Sequence, residues 1–295
     1  MRIGLVCIAI LFLSALAARA QKDIWQTAVD GAARTMPSAR IVVVEIKSGR
    51  LLASAHLEQA ARTLAEPGST LKPLLLFQLI AQGRWQPGRR VACARNLQIA
   101  GRWLHCSHPA LPPMDARSAL AWSCNSYFAE VAAHTTPNEL ETMLRTTGLL
   151  APSRLVNQQA VAIYHRADNV EETQLEFLGV KGIRVTPLEL AGAYRWLATE
   201  LEKNPGSPAA QTLRAGLGDS ASFGMAGGAG LGGVPVMGKT GTAERDGVAQ
   251  THGWFAGLAG NVVIVVYLPA GRGMDAAQLA GVVIKNSPLN RGAKP

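Results

Sequence analysis

The sequence contains no His-Glu-x-x-His and no Cys-x-x-Cys pair, so it lacks the local signatures of a catalytic or structural zinc. No metal and no cofactor is expected on that ground. No nucleic-acid motif accompanies the net charge of +9, so nucleic acid is not an expected partner. The basic balance instead suits anionic envelope polymers or lipid head groups, or a protein that is merely basic. No internal repeat is visible, which argues against solenoids and propellers. Beyond the first twenty residues, no run is long and apolar enough to cross a bilayer.

What is present is a large apolar fraction. Hydrophobic residues make up 48% of 295, enough for a substantial core in one large domain or two small ones. The first twenty residues stand apart: Arg2, an apolar run from Ile3 to Leu16, then Ala18-Arg19-Ala20. That pattern predicts a secretory leader over residues 1–20 and an exported, periplasmic or extracytoplasmic domain over 21–295. An uncleaved leader would leave that domain membrane-associated. Of the four cysteines, Cys7 departs with the leader. Cys93 and Cys106 flank two short alternating runs around Gly101, which predicts a hairpin that brings them together. In an oxidising compartment that pair is expected to form a disulfide, leaving Cys124 unpaired.

Along the chain, Asp23 to Met36 has the spacing of a short amphipathic helix. Arg40 to Ile46 is β-branched and strand-like, with a hairpin partner over 50–55. Thr136-Pro137-Asn138-Glu139 and Thr186-Pro187-Leu188-Glu189 are capping boxes that open helices. Residues 203–222 read as a loop with some helix. Strands are expected over 234–243, 252–259 and 261–268, with a closing helix over 274–284. Strands at both ends and helices between them predict an α/β (α+β) fold, one sheet completed by both ends of the chain. A helical lobe over about 85–230 would be inserted between the sheet segments.

Three short motifs carry chemistry. In Glu66-Pro67-Gly68-Ser69-Thr70-Leu71-Lys72-Pro73, Pro73 must lie in the first turn of the apolar helix that follows. Ser69 and Lys72 are then neighbours on one face at its positive end. A serine hydroxyl beside a lysine of lowered pKa is an activated nucleophile, and the free N–H of Ser69 can hold an oxyanion. Ser123 and Asn125 place a hydroxyl and an amide two apart at a helix junction, suited to proton relay and to holding a lysine; local capping is the plainer alternative. Lys239-Thr240-Gly241-Thr242 puts a cation and two hydroxyls on a strand as a rim for a carboxylate. Gly241 would leave room for a substrate backbone; the plainer alternative is a polar edge strand.

In this order the three motifs resemble the transpeptidase domain of penicillin-binding proteins. The segments Val185 to Ala191, Gly238 to Glu244 and His252-Gly253-Trp254-Phe255-Ala256-Gly257 are also similar to that family, and the likeness covers roughly residues 38–285. The resemblance implies a central antiparallel sheet flanked by helices, with the site between sheet and helical lobe. It implies that Ser69 attacks a D-Ala-D-Ala peptidoglycan stem or a β-lactam, which would act as an inhibitor. Lys72 would take the proton, Ser123 would relay it, and Asn125 would orient Lys72 and substrate. Lys239 and Thr240 would bind the terminal carboxylate, and the N–H groups of Ser69 and Thr242 would form the oxyanion hole. Gly224-Met225-Ala226 departs mildly from the Gly-Thr-Ala that the family often carries. With Ser69 so near the start, the large preceding domains of biosynthetic members are not expected.

Two other readings compete. A serine β-lactamase would need a base on a water, and Glu172-Thr173-Gln174-Leu175-Glu176 faintly resembles the class A acidic loop but lacks its final asparagine. Class D enzymes usually carry Ser-x-Val where Asn125 stands. A β-lactam or muropeptide sensor, or a scaffold without turnover, would tolerate decay of the polar groups, and all six are intact.

Overall fold

The computed structural model describes residues 21–245 and 248–291; the expected leader over 1–20 lies outside them. Helix α1 runs over 21–35. Strands β1 (Arg40–Glu45) and β2 (Leu51–Ala55) form a hairpin, followed by α2 (Leu57–Arg62), a 3-10 turn (Gly68–Thr70) and α3 (Lys72–Ala81). A second hairpin, β3 (Asn96–Ile99) and β4 (Arg102–His105), leads to α4 (Ala116–Trp122), α5 (Asn125–Ala133) and α6 (Pro137–Thr146). Next come β5 (Ile163–Tyr164), α7 (Val170–Phe177), β6 (Ile183–Arg184), α8 (Pro187–Lys203) and α9 (Pro208–Ser222). The chain returns to the sheet in β7 (Val236–Arg245), β8 (Val248–Ala259) and β9 (Val262–Leu268), then α10 (Gly273–Lys285) and α11 (Pro288–Arg291).

The central sheet is antiparallel, in the order β2-β1-β9-β8-β7. Strands from both ends of the chain therefore complete one sheet, and β1 lies against β9. Because successive side chains point to opposite faces, the β-branched runs of β1 and β9 supply two cores at once. Val42, Val44, Val263 and Val265 join the core under α3, α5 and α8. Ile41, Val43, Ile264 and Val266 join the one under α1 and α10. Helices cover both faces, which explains why these strands carry no polar alternation. Both capping boxes form as the sequence predicts: Thr136 with Glu139, and Thr186 with Glu189.

Two expectations need correction. Residues 203–222 are mostly helix, with Ser207 as N-cap and Pro208 in the first turn. The glycines there mask a helix whose formation tertiary packing favours over propensity. A Cβ on Gly216 would sit 2.8 Å from Leu120 Cβ and 3.1 Å from the Arg117 carbonyl, so this glycine lets α9 pack against α4. The Cys93–Cys106 disulfide is also absent. The hairpin forms and brings the sulfurs to 3.5 Å, but a bond requires about 2.05 Å, and both thiols are free. Cys124 and His108 crowd the same place, so the hairpin delivers its sulfurs to a group of four rather than to a pair.

Gly216→Val should lower the urea midpoint by overpacking the α4–α9 contact, at a cost of about 1–3 kcal/mol. Gly218 has open space around its Cβ position, so Gly218→Ala should raise the midpoint through a stability gain of about 0.5–1 kcal/mol. Equilibrium urea unfolding of both variants checks this pair.

Candidate active site

The turn that carries Ser69 is fastened from three sides. The Glu66 carbonyl accepts from Trp254 Nε1 at 2.8 Å and lies 3.0 Å from His252 Nε2, both on β8. Tyr194 of α8 donates its hydroxyl to the Thr70 carbonyl at 3.0 Å. Gly68, at φ +55°, donates its N–H to the Gly179 carbonyl at 2.9 Å. The backbone of this turn crosses β7 closely: a Cβ on Gly241 would meet the Pro67 carbonyl at 2.4 Å and Thr70 Cγ2 at 3.1 Å. The purpose expected for Gly241, space for a substrate backbone, is therefore corrected. Gly241 makes room for the protein's own Ser69 turn, and this contact sets Ser69 beside Thr242.

Ser69 lies in the 3-10 turn, one turn ahead of the α-helix proper, and Lys72 opens α3 with Pro73 behind it. Lys72 is fully buried. Its Nζ donates to Asn125 Oδ1 at 2.7 Å and to the Ser123 carbonyl at 3.1 Å, with Ser123 Oγ at 3.4 Å. Burial pushes its pKa down to about 8, against a smaller opposing pull from the thiols of Cys106, Cys124 and Cys93. Three acceptors surround the amine, and its lowered pKa brings the neutral form, whose lone pair can take a proton, within easier reach than on a solvated lysine.

Ser123 ends α4 in the left-handed region, at φ 59° and ψ 35°. Cys124 then breaks the helix before Asn125 opens α5. This kink turns Ser123 and Asn125 towards the same lysine, an uncommon conformation for a residue with a Cβ and one often found at functional sites. Asn125 Nδ2 donates in turn to the His105 carbonyl at the end of β4. The β3–β4 hairpin thus forms a wall of the site, which the sequence reading did not foresee. Arg102 ties that wall across the cleft, to the Val180 carbonyl at 3.0 Å and Glu244 at 2.9 Å. Those partners lie 78 and 142 residues away, so no local signal could have revealed them.

On β7, Thr240 and Thr242 line a cleft of about 250 Å³ together with Ser69, Ser123 and Asn125. Lys239 is fully buried, with Nζ donating to the Thr240 carbonyl at 3.1 Å. Desolvation holds its pKa well below the lysine range, and the charge of Lys72 adds to that effect. Thr242 Oγ1 accepts from the N–H of Gly273, which braces the end of the rim against α10. The three motifs, scattered from 69 to 242, therefore converge on one cleft.

The acidic stretch does not join them. Glu172 is paired with Lys181 at 2.8 Å. Glu176 is buried against the Tyr164 hydroxyl at 3.1 Å. Neither carboxylate lines the cleft.

A five-stranded antiparallel sheet with helices on both faces is the β-lactamase-like α/β fold shared by penicillin-binding transpeptidase domains. The family model described as the penicillin binding protein transpeptidase domain matches residues 39–286, and the chain belongs to that family. Among solved structures, the chain is similar to a peptidoglycan glycosyltransferase from Burkholderia ambifaria, at 19% identity and a TM-score of 0.77, over 91% of this chain and 93% of that one. It is also similar to the TP domain of penicillin-binding protein 3 from Burkholderia pseudomallei, at 19% identity and a TM-score of 0.75, over 91% and 92%. A third is penicillin-binding protein PBP2 in its complex with MreC from Helicobacter pylori, at 15% identity and a TM-score of 0.75, covering 89% of this chain and 61% of that one. At these identities the likeness is one of fold. No match was found among curated protein sequences.

Glu176 offers a test of this packing. Desolvation raises its pKa to about 7; the Tyr164 hydroxyl opposes that, Glu172 and Asp168 reinforce it, and Lys181 counters it. The folded state holds the proton more tightly than the unfolded chain. Its stabilisation is complete below the unfolded carboxyl value and is lost as pH rises through about 7. The Tm should fall between pH 5 and 8 in the wild type, and Glu176→Gln should flatten that slope in a thermal melt series.

Proposed function

We propose that this protein is an exported penicillin-binding serine acyltransferase that acts on D-Ala-D-Ala peptidoglycan stems through a Ser69 acyl-enzyme. One observation carries the reading: the buried Lys72 amine, lowered to about 8 and held by two carbonyls, stands one helical turn from Ser69. A lysine in water is a poor base because it is almost wholly protonated, and burial lessens that obstacle by enlarging the neutral fraction.

The chemistry follows from the positions. Ser69 Oγ attacks the penultimate D-Ala carbonyl while Lys72 Nζ takes the hydroxyl proton. The N–H groups of Ser69 and Thr242 receive the oxyanion that develops. As the C–N bond breaks, the departing D-Ala amine takes a proton through Ser123, and the acyl group stays on Ser69. An amine or a water then attacks the ester, its proton returns through the same relay, and Ser69 is released. Asn125 orients Lys72 and the substrate amide. Lys239 and Thr240 with Gly241 and Thr242 form the side of the cleft that takes the terminal carboxylate. An anion bound there would restore the charge that desolvation suppresses on Lys239. A β-lactam presents a similar strained amide and carboxylate and would acylate the same serine. The position of Glu172 and Glu176 away from the cleft supports a long-lived acyl-enzyme over rapid hydrolysis of the drug.

The mature protein should be labelled covalently by a fluorescent penicillin, at one label per chain by intact mass. Ser69→Ala should abolish labelling, and Lys72→Ala should slow it by about 10²–10⁴-fold. A folded wild type that takes no label would sink the acyltransferase reading. A label lost within seconds would replace it with a β-lactamase. A D-Ala-D-Ala peptide donor offered with an amine acceptor sorts transpeptidation from carboxypeptidation by product mass.

A further inference from the structure

At the edge of the cleft, beside the Ser123–Asn125 turn, four ligand-bearing side chains meet. Cys93, Cys106, His108 and Cys124 bring three sulfurs and a ring nitrogen within 4.8 Å of one another. Cys93 Sγ lies 3.5 Å from Cys106 Sγ and 3.3 Å from His108 Nε2. A tetrahedral zinc with Zn–S of about 2.3 Å and Zn–N of about 2.0 Å separates its ligands by about 3.8 Å between sulfurs and about 3.5 Å between sulfur and nitrogen. The Cys93–Cys106 and Cys93–His108 spacings are close to the edges of that polyhedron, and the sulfur pair is far too long for a disulfide.

The surroundings are also those of a ligand set. His108 Nδ1 is 2.7 Å from the Pro109 carbonyl, which can only accept, so the ring proton sits on Nδ1. Nε2 then turns a lone pair towards the sulfurs, the arrangement that a metal-bound histidine uses. The N–H of Asn125 points at Cys106 Sγ at 3.2 Å, a donor that stabilises a thiolate. Cys106, His108 and Cys124 are buried, and Cys93 is half-buried. No single stretch of sequence shows this site, because its ligands come from both flanks of a hairpin and from a helix junction.

We propose that these four residues bind one zinc-class divalent cation in a Cys3His site that clamps the β3–β4 hairpin to the Ser123–Asn125 turn. Cys124 is the residue between Ser123 and Asn125, and Cys106 follows His105, whose carbonyl accepts from Asn125. A bound cation would therefore fix the two partners of Lys72. Cys106 also borders the cleft, but none of the four ligands is itself hydrogen-bonded to Lys72, so the cation's role is to position. This inference does not depend on the acyltransferase reading, since binding is read without any substrate.

The test titrates the full chain, purified metal-free under reducing conditions, with cobalt(II) chloride and then zinc chloride. Saturation is expected at about one equivalent, with thiolate-to-cobalt charge transfer in the near ultraviolet and the intense visible bands of tetrahedral cobalt, both erased by zinc. Cys93→Ser and His108→Ala should each weaken binding by about 100-fold or more, since losing even an outer-shell partner typically costs about 10–100-fold. Far-ultraviolet circular dichroism checks that both variants fold; should either fail to fold, the wild-type spectrum decides alone. Weak octahedral bands, a Cys93–Cys106 disulfide in protein folded with zinc present, or a spectrum unchanged by both substitutions would overturn the proposal.

Discussion

The whole site depends on one close approach, the Pro67 carbonyl lying against β7 where Gly241 has no side chain. That contact joins two parts of the chain some 170 residues apart. It sets the Ser69 turn on the sheet, beside the strand that carries Thr240 and Thr242. Trp254, His252 and Tyr194 then hold the turn by its own carbonyls. A serine on a loose loop would sample many orientations. This one is fixed by groups that belong to the core, so its geometry is as rigid as the sheet.

Two lysines share the interior behind that serine. Among the described residues, neither has a carboxylate as a hydrogen-bond partner, and both are desolvated. Burying such amines is unfavourable unless they shed their charge or find an anion. Lys72 is lowered to about 8 and donates to carbonyls. Lys239 lies beside the face where an anionic substrate group would arrive. On the proposed reading, the same low-dielectric setting suits one amine to proton transfer and the other to anion recognition, and their neighbours distinguish them.

The hairpin of β3 and β4 links these features to the cysteines. Through the His105 carbonyl it steadies Asn125, and through Arg102 it reaches β7 and the Val180 loop. Its far end carries the sulfur and imidazole groups that meet Cys124 beside the Ser123–Asn125 turn. The kink at Ser123 is therefore supported by two neighbours, one of them made of residues chosen for their chemistry rather than their bulk.

Much of this was legible in the residues alone. Strand runs, both capping boxes and the hairpin around Gly101 are local events, governed by side-chain branching, proline and turn chemistry, and they form where the sequence predicts. The three polar motifs could be read because each keeps its chemistry within four consecutive residues. What could not be read depends on distance across the fold. The helix over Pro208–Ser222 forms despite its glycines because Gly216 meets Leu120. The Cβ side of Gly241 is filled by Pro67 of the Ser69 turn, and the two hairpin cysteines join a group of four instead of pairing. The amino-acid order settled which groups were available and which short segments would turn or coil. Tertiary packing settled which of them meet, because close approach and burial depend on parts of the chain that no local window contains.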